Sequence, residues 1–441
     1  MSDGRACLEA LVGALDDIVD ERVGIVRQVE IVPREAGSPN FFHVAAKAAN
    51  TEAFVRQKNF GNTGGASADL SMAVAKAVGE AVERYAAAIY DFEALPLTPR
   101  ATAPFPCVAP EDFALYSAAQ YQTPDFPWVP FLDSTPVRWT RGIDAGTGQV
   151  CYVPAAMVFM PYHFYQDTGD AAIVQPISTG LACHMGFARA AIGGICEVIE
   201  RDAFTITWQA ALARPQLRGE TLIDRNYDLV ERFERTGSTV TMLNITTDLD
   251  VPTILSVLHS EAEHCPALVV AAATDLDPEA AVRKSLEELA HTRRYSQQVK
   301  TRLPRLPREG WQIVDQMDHL NFWCDHANAP LGEFLLRSAA RIDFEDIESL
   351  STGDPNQDLA VLCRQLDGAG HRAVLCDLTT PDVAELGFSV VRAVVPGLHP
   401  LFMGFAIRAL GGRRLREVPG RLRGSSRVTE DGDNGLPHPY P

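Results

Sequence analysis

Two short acidic patterns carry residue types whose spacing suits catalysis. The pattern E-x-I-E-R at 197–201 puts Glu197, Glu200 and Arg201 at i, i+3 and i+4 of a helical run, so all three project from one face. The pattern E-x-V-E-R at 80–84 repeats it with Glu80, Glu83 and Arg84, 117 positions earlier. Ile192, Ile195, Val198 and Ile199 make the opposite side of the first helix apolar. Its carboxylates therefore stand at the margin of a buried helix, where like charges are costly without a cation. Two carboxylates one turn apart can chelate a hard cation, and two such helices facing one another could hold Mg2+ against a triphosphate, with the arginines on its phosphates. A single E-x-x-E-R is more simply an exposed ion-paired face. Its duplication on two otherwise apolar helices, each after a Gly/Ser/Thr-rich turn, favours function.

The elements that must position these groups follow from periodicity. The glycine-rich GNTGGAS (61–67) is expected to be a turn leading into a helix from Leu70 to Tyr90, and Ser178, Thr179 and Gly180 to open the helical stretch that ends near Trp208. A helix over 5–20 and a strand over 24–32 start the fold, followed by a short β-like run within 41–60. Nine prolines between 94 and 136 predict an extended passage, and VRWTRGID and QVCYVPAAMVF a hairpin through 145–148. TVTMLNIT, PTILSVLHS and ALVVAAAT read as strands before a third acidic helix at 278–299. There Glu287, Glu288 and His291 stand beside Arg283, Lys284, Arg293 and Arg294, a solvated ion-paired face. A helix from Leu359, the strand RAVLCDLT, a turn at 380–382 and the strand FSVVRAVVPGL complete an α/β pattern.

Composition narrows the classes. The 441 residues are 46% hydrophobic and 22% charged, with 39 basic against 57 acidic residues and a net charge of −18. That balance excludes a general nucleic-acid binder, which needs a basic surface. Nine scattered cysteines without a C-x-x-C pair read as cytosolic usage rather than a disulfide or zinc framework. No apolar run reaches the roughly 18 residues of a membrane span. A cytoplasmic protein is the expectation. No Walker loop is present, so any ATP site is of another kind. Cys183 and Cys196 read as buried structural thiols, and His319 and His326 as packing residues. For the proline-containing end, PHPYP, the residues alone make disorder the default.

Taken together, A-x-x-x-G-E-x-x-E-R, E-x-I-E-R-D-A, DLTTPDV, GFSVVRAVVPGLHP and the final PHPYP resemble the YcaO-domain family, and within it the azoline-forming cyclodehydratase D proteins. The resemblance spans nearly the whole chain. It implies an α/β YcaO-like fold with mixed sheets and a non-Walker ATP site, one domain over 1–430, and a tail over 431–441 that reaches the active site. It further implies ATP-dependent conversion of Cys, Ser or Thr in a ribosomal precursor peptide to thiazolines or oxazolines, by phosphorylation of the backbone amide oxygen. Glu80, Glu83, Glu197 and Glu200 would hold Mg2+; Arg84, Arg201, Lys76, Ser178, Glu288 and His291 would contact the nucleotide; Pro437, Pro439 and Pro441 would serve catalysis, with the Pro441 carboxylate as base or organiser. Family members often carry Ser at position 76, Ser at 182, Asn at 185, Glu at 189 and Gln at 291, where this chain has Lys76, Ala182, Met185, Arg189 and His291. No E1-like segment is evident, so a separate leader-binding partner is expected, with a flavin dehydrogenase as a further chain and a homodimer as the assembly. A YcaO thioamide synthetase, and a non-catalytic scaffold with a decayed ATP site, are the alternatives.

Overall fold

The computed structural model describes residues 8–9, 11–165, 168–307, 312–422, 426, 428–429 and 432–440. Its strands are β1 (Val26–Val32), β2 (Phe42–Ala48), β3 (Asn62–Ser67), β4 (Leu97–Pro99), β5 (Pro136–Asp144), β6 (Val150–Pro154), β7 (Leu181–Met185), β8 (Gln216–Leu217), β9 (Ser238–Asn244), β10 (Thr253–Ser260), β11 (Leu268–Thr274), β12 (Arg341–Ile342), β13 (Val374–Asp377) and β14 (Phe388–Val394). The principal helices are α1 (Leu70–Ala86), α2 (Phe187–Gln209), α3 (Asp224–Glu234), α4 (Pro278–Arg302), α5 (Gln316–Cys324), α6 (Pro355–Gly368), α7 (Pro381–Glu385) and α8 (Arg414–Arg421). The strands form three sheets: β1-β2-β3, β11-β10-β9-β8-β12, and β4-β5-β13-β14-β7 with β6 on β5.

Two expectations about the approach to the acidic helices need correction. GNTGGAS is not a turn: all of it but Gly61 is β3, hydrogen-bonded along β2 from Phe42↔Ser67 to Lys47↔Asn62. Gly65 permits this strand to lie on α1, because a Cβ there would meet the Ala73 carbonyl oxygen at 2.5 Å and the Lys76 Cβ at 2.7 Å. The second helix likewise starts later than expected, at Phe187, since residues 181–185 form the edge strand β7. Cross-strand pairing with β14 outweighs the local helical pattern there. Both helices therefore follow a β-strand, and α1 starts on an Asp69 cap that accepts from the Met72 N–H. At the other end of the chain, the turn at 380–382 is the start of α7.

Burial explains where the helices go. Ala73, Ala77, Ala81 and Val82 on α1 pack with Val44 and Ala46 of the first sheet and with Phe388 and Val390 of β14. On α2, Ala190, Ala191, Ile195 and Ile199 pack with Val391 and Ala393, the alternate residues of β14, and with Leu362 and Leu366 of α6. Successive strand residues face opposite sides, so the two acidic helices lie on opposite faces of the third sheet, with β7 at its edge. The same alternation holds in β11. Val269 and Ala271 meet Leu286 and Leu289 of α4, while Leu268, Val270 and Ala272 meet Ala203, Phe204 and Trp208 of α2. That double cover explains why β11 is apolar throughout and α2 is buried all round from Asp202 to Gln209. No described helix is long and apolar enough to cross a membrane.

Candidate active site

The two acidic triads come together beside β7, and each is built in the same way. Glu80 accepts from Arg84 at 3.2 Å and from the backbone N–H of Gly64 at 3.3 Å. Glu197 accepts from Arg201 at 3.0 Å and from the N–H of Gly180 at 3.0 Å. The second glutamate of each pattern also turns to its arginine: Glu83 at 3.6 Å from Arg84, Glu200 at 2.5 Å from Arg201. Thus the repeat in sequence is a repeat in structure, including the glycine that feeds it. Gly180 cannot be replaced without strain, because its φ is +89° and a Cβ would lie 2.2 Å from the Ala393 carbonyl oxygen.

Electrostatics follow from this crowding. Burial pushes the Glu83 carboxyl up to about 8, against the pull of Arg84, while the charges of Glu197 and Glu80 add to the rise. Burial likewise lifts Glu200 to about 7, opposed by Arg201 and by a hydrogen bond from Tyr440. A third cation, Arg392 of β14, is only 5% exposed, and burial brings it down to about 10. It feels both Glu197 and Glu83, while its Nη2 donates to the Ile177 carbonyl at 2.9 Å. Its Nε and Nη1 find no hydrogen-bond partner among the described residues, as is true of Arg84 Nη1 and Arg201 Nε.

The chain's end closes one side. Tyr440 is 1% exposed; its hydroxyl donates to Glu200 Oε1 at 2.5 Å and its ring lies under the Arg201 guanidinium, 4.6 Å away. Trp208 and Trp323 donate to the carbonyls of Leu436 and Pro437 at 3.1 and 2.9 Å. His438 stacks on His319 with ring centroids 3.8 Å apart and bonds the Phe402 carbonyl at 2.8 Å. Pro437 and Pro439 are buried, which overturns the disorder expected of this end from its residues alone. Pro441, named above as a catalytic candidate, lies outside the described residues. Behind the site, the buried Asp202 accepts two bonds from Arg414, at 2.8 and 2.7 Å, which fastens α8 to α2. Arg414 is therefore an internal tie between α8 and α2.

The remaining candidates are placed as follows. Lys76 donates to Glu287 at 2.8 Å, and Glu287 also accepts from Ser67 at 2.6 Å, so this helix face is buried against β3 and not merely solvated. His291 packs on Gly64, where a Cβ would meet its Cε1 at 2.5 Å, and its Nδ1 is buried without a partner among the described residues. Glu288 is close enough to raise the pKa of Glu200, Arg201 and Tyr440. Ser178 is partly exposed in the turn before β7, where its carbonyl accepts from Leu181 at 2.9 Å. Sequence reasoning missed Arg392, Tyr440 and the two glycine N–H groups. A lone arginine inside the apolar strand FSVVRAVV was the available signal for Arg392, because a charge at such a position needs a partner.

The residues suit a magnesium nucleotide. Among the described residues no three His, Cys, Asp or Glu side chains converge as an all-protein metal cage. Mg2+ does not need one, since it typically takes one or two carboxylates and completes its shell with phosphates and water. Four carboxylates interleaved with three guanidiniums, several of whose N–H groups are unpartnered, is a donor set of that kind.

Comparison with known proteins agrees. Residues 64–399 match the family described as YcaO cyclodehydratase, ATP- and Mg2+-binding. A heterocyclase solved in complex with substrate and cofactor superposes with a TM-score of 0.79 at 20% identity, over 98% of this chain and 57% of that one. YcaO from Methanopyrus kandleri, bound with AMPPCP and Mg2+, superposes with a TM-score of 0.63 at 20% identity, over 89% and 91% of the two chains. The Escherichia coli microcin synthetase McbBCD complex with pro-MccB17 bound gives a TM-score of 0.54 at 13% identity, over 84% and 87%. The chain spans little more than half the length of the first of these. The mixed α/β fold expected from the sequence is the fold these structures share. With three quarters of its length matched, the chain belongs to the YcaO cyclodehydratase family.

Proposed function

We propose that this protein is an ATP-dependent cyclodehydratase that converts Cys, Ser or Thr residues of a ribosomal precursor peptide to thiazolines or oxazolines. The observation that carries the reading is the doubled triad: Glu80, Glu83, Glu197 and Glu200 around Arg84, Arg201 and Arg392, with Tyr440 of the PHPYP end hydrogen-bonded to Glu200. When bound, Mg-ATP would supply the phosphoryl group that makes the amide oxygen a leaving group. In the proposed reaction the side-chain sulfur or oxygen attacks the preceding carbonyl carbon and gives up its own proton, and the carbonyl oxygen takes the phosphoryl group. The former carbonyl oxygen departs as phosphate, and loss of the amide proton closes the C=N bond.

The protein's part is to position and shield. The glutamates would hold Mg2+, and the Arg84 and Arg201 guanidiniums would offer N–H groups to the phosphates, a preorganised arrangement that contributes only if it keeps the reacting atoms aligned. Arg201 is itself oriented by Glu197, Glu200 and the Tyr440 ring. Glu200, whose carboxyl burial lifts to about 7 without a metal, would give up its proton on taking Mg2+. We place a separate leader-binding partner with this chain, by analogy with the multi-chain microcin complex, and a homodimer as its assembly.

Incubating the protein with its partner, precursor peptide and Mg-ATP, and following peptide mass, tests this. Loss of about 18 Da per modified residue is expected from elimination of the elements of water coupled to phosphoryl transfer. Exchange of oxygen for sulfur would replace the proposal with thioamide synthesis, and an unchanged peptide without ATP turnover would replace it with a scaffold role.

A further inference from the structure

Beside the acidic site lies a cavity of about 140 Å³ that the proposed chemistry leaves unused. Leu115, Met157, Val174, Val395, Leu401 and Ile407 form apolar walls, drawn from four separate stretches of chain. Arg201 and Arg392 line it too, together with Gln175. These three side chains hold four buried polar atoms that find no partner among the described residues: Arg201 Nε, Arg392 Nε and Nη1, and Gln175 Oε1. An apolar hole ringed by unpartnered donors and an acceptor is built for a ligand with an apolar body and amide-like polar groups, since leaving such atoms unpaired is costly.

Size and place identify the ligand. An apolar cavity of ~150 Å³ admits one benzene ring, so this one takes a single large aliphatic or aromatic side chain. None of its lining comes from α1 or α4, which carry Lys76, Glu80, Glu83, Glu288 and His291. It therefore borders the acidic site through Arg201 and Arg392 without touching the helices that carry those groups. The unpartnered Arg392 N–H groups match a peptide carbonyl, and the Gln175 oxygen matches a peptide N–H. We infer that this cavity seats one apolar side chain of the peptide substrate, next to the amide that is modified. The inference rests on the proposed peptide-modifying reading, and it adds a sequence preference: a residue such as Leu or Phe beside the cyclised position.

The binding test is independent of turnover. The full-length protein carries a 13C-methyl label on methionine, and the Met157 signal reports the cavity. N-acetyl-leucine N-methylamide and its phenylalanine analogue should shift that signal saturably. The glycine analogue should bind about tenfold or more weakly, the usual discrimination of an apolar pocket. Ile407→Trp and Val174→Trp, two rim residues on separate elements, should each abolish the shift while Mg-AMPPCP binding is unchanged; either one that folds suffices. Equal binding of the glycine probe, or no shift with any probe, overturns the inference. Competition between Mg-AMPPCP and the leucine probe overturns it too, because the cavity would then hold the nucleotide base. In the activity assay, peptides with Leu and Gly beside the target Cys separate the two levels. Equal processing of both defeats the cavity assignment alone, and no processing of either defeats the cyclodehydratase reading while the probe titration still decides the cavity.

Discussion

Replacing Tyr440 by Phe removes one oxygen and tests the link between the chain's end and the acidic site. The ring keeps its packing on Phe204, with centroids 4.3 Å apart, and its place under Arg201, so little apolar contact is lost. What disappears is the bond to Glu200 and a weaker one, at 3.3 Å, from the Ala272 N–H. A buried hydrogen bond to a charged partner contributes about 1.5–3 kcal/mol, and to a neutral one about 1 kcal/mol. Because the hydroxyl favours ionised Glu200, its removal raises that carboxyl beyond its present value of about 7. The loss of stability is therefore largest at pH values above the variant's raised pKa and shrinks as pH falls below about 7, where Glu200 is protonated in both proteins. Urea unfolding of wild type and Tyr440→Phe on either side of that value measures it. A loss of the same size at both pH values, or none at either, would refute the placement of Tyr440 on an ionisable Glu200.

Three further outcomes are expected. Glu197→Ala frees Arg201 and the Gly180 N–H at a partly exposed position, so it should lower nucleotide turnover on the order of 10²-fold with an unchanged circular dichroism spectrum; wild-type turnover would remove Glu197 from the site. Deleting residues 437–441 uncovers Trp208, Trp323 and Phe204, and should cost about 3–5 kcal/mol, as removal of a large buried aromatic does, with a red shift of tryptophan fluorescence and loss of product; undiminished product would return this end to the status of a bystander. Burial brings His438 and His399 from 6.5 down to about 4. The unfolded chain binds protons that the folded one refuses, so stability present above 6.5 is lost as pH falls towards 4. Because Glu83 and Glu200 titrate in the opposite sense over the same interval, the measurement compares wild type with a His438→Gln variant, and an identical pH dependence of melting temperature in the two would contradict it.

Much of the candidate site was legible before any coordinates. The E-x-x-E-R pairs, the helix after each small-residue stretch and the strands at 239–274 all rest on local periodicity, which requires only neighbouring residues to agree. The errors fall where a distant partner decides. GNTGGAS became β3 because β2 pairs with it, and residues 181–185 became an edge strand because β14 does. The first stretch is small and weak in intrinsic preference and the second reads locally as helix, and in both cross-strand hydrogen bonds set the conformation. Glu287 lost its solvated character for a similar reason, since Ser67 and Lys76 lie more than 200 positions away in sequence.

The sequence alone therefore determined which residues could do the chemistry: two acidic triads at helical spacing, and a chain end stiffened by proline. The tertiary structure decided how they meet. It put the two helices on opposite faces of one sheet, aimed a glycine N–H at the first glutamate of each pair, and brought Arg392 and Tyr440 into the same site from strands and loops far along the chain. The reason is that helix periodicity is a property of the nearest few residues, whereas the proximity of carboxylates, guanidiniums and a phenol from four separate segments depends on which apolar faces bury one another.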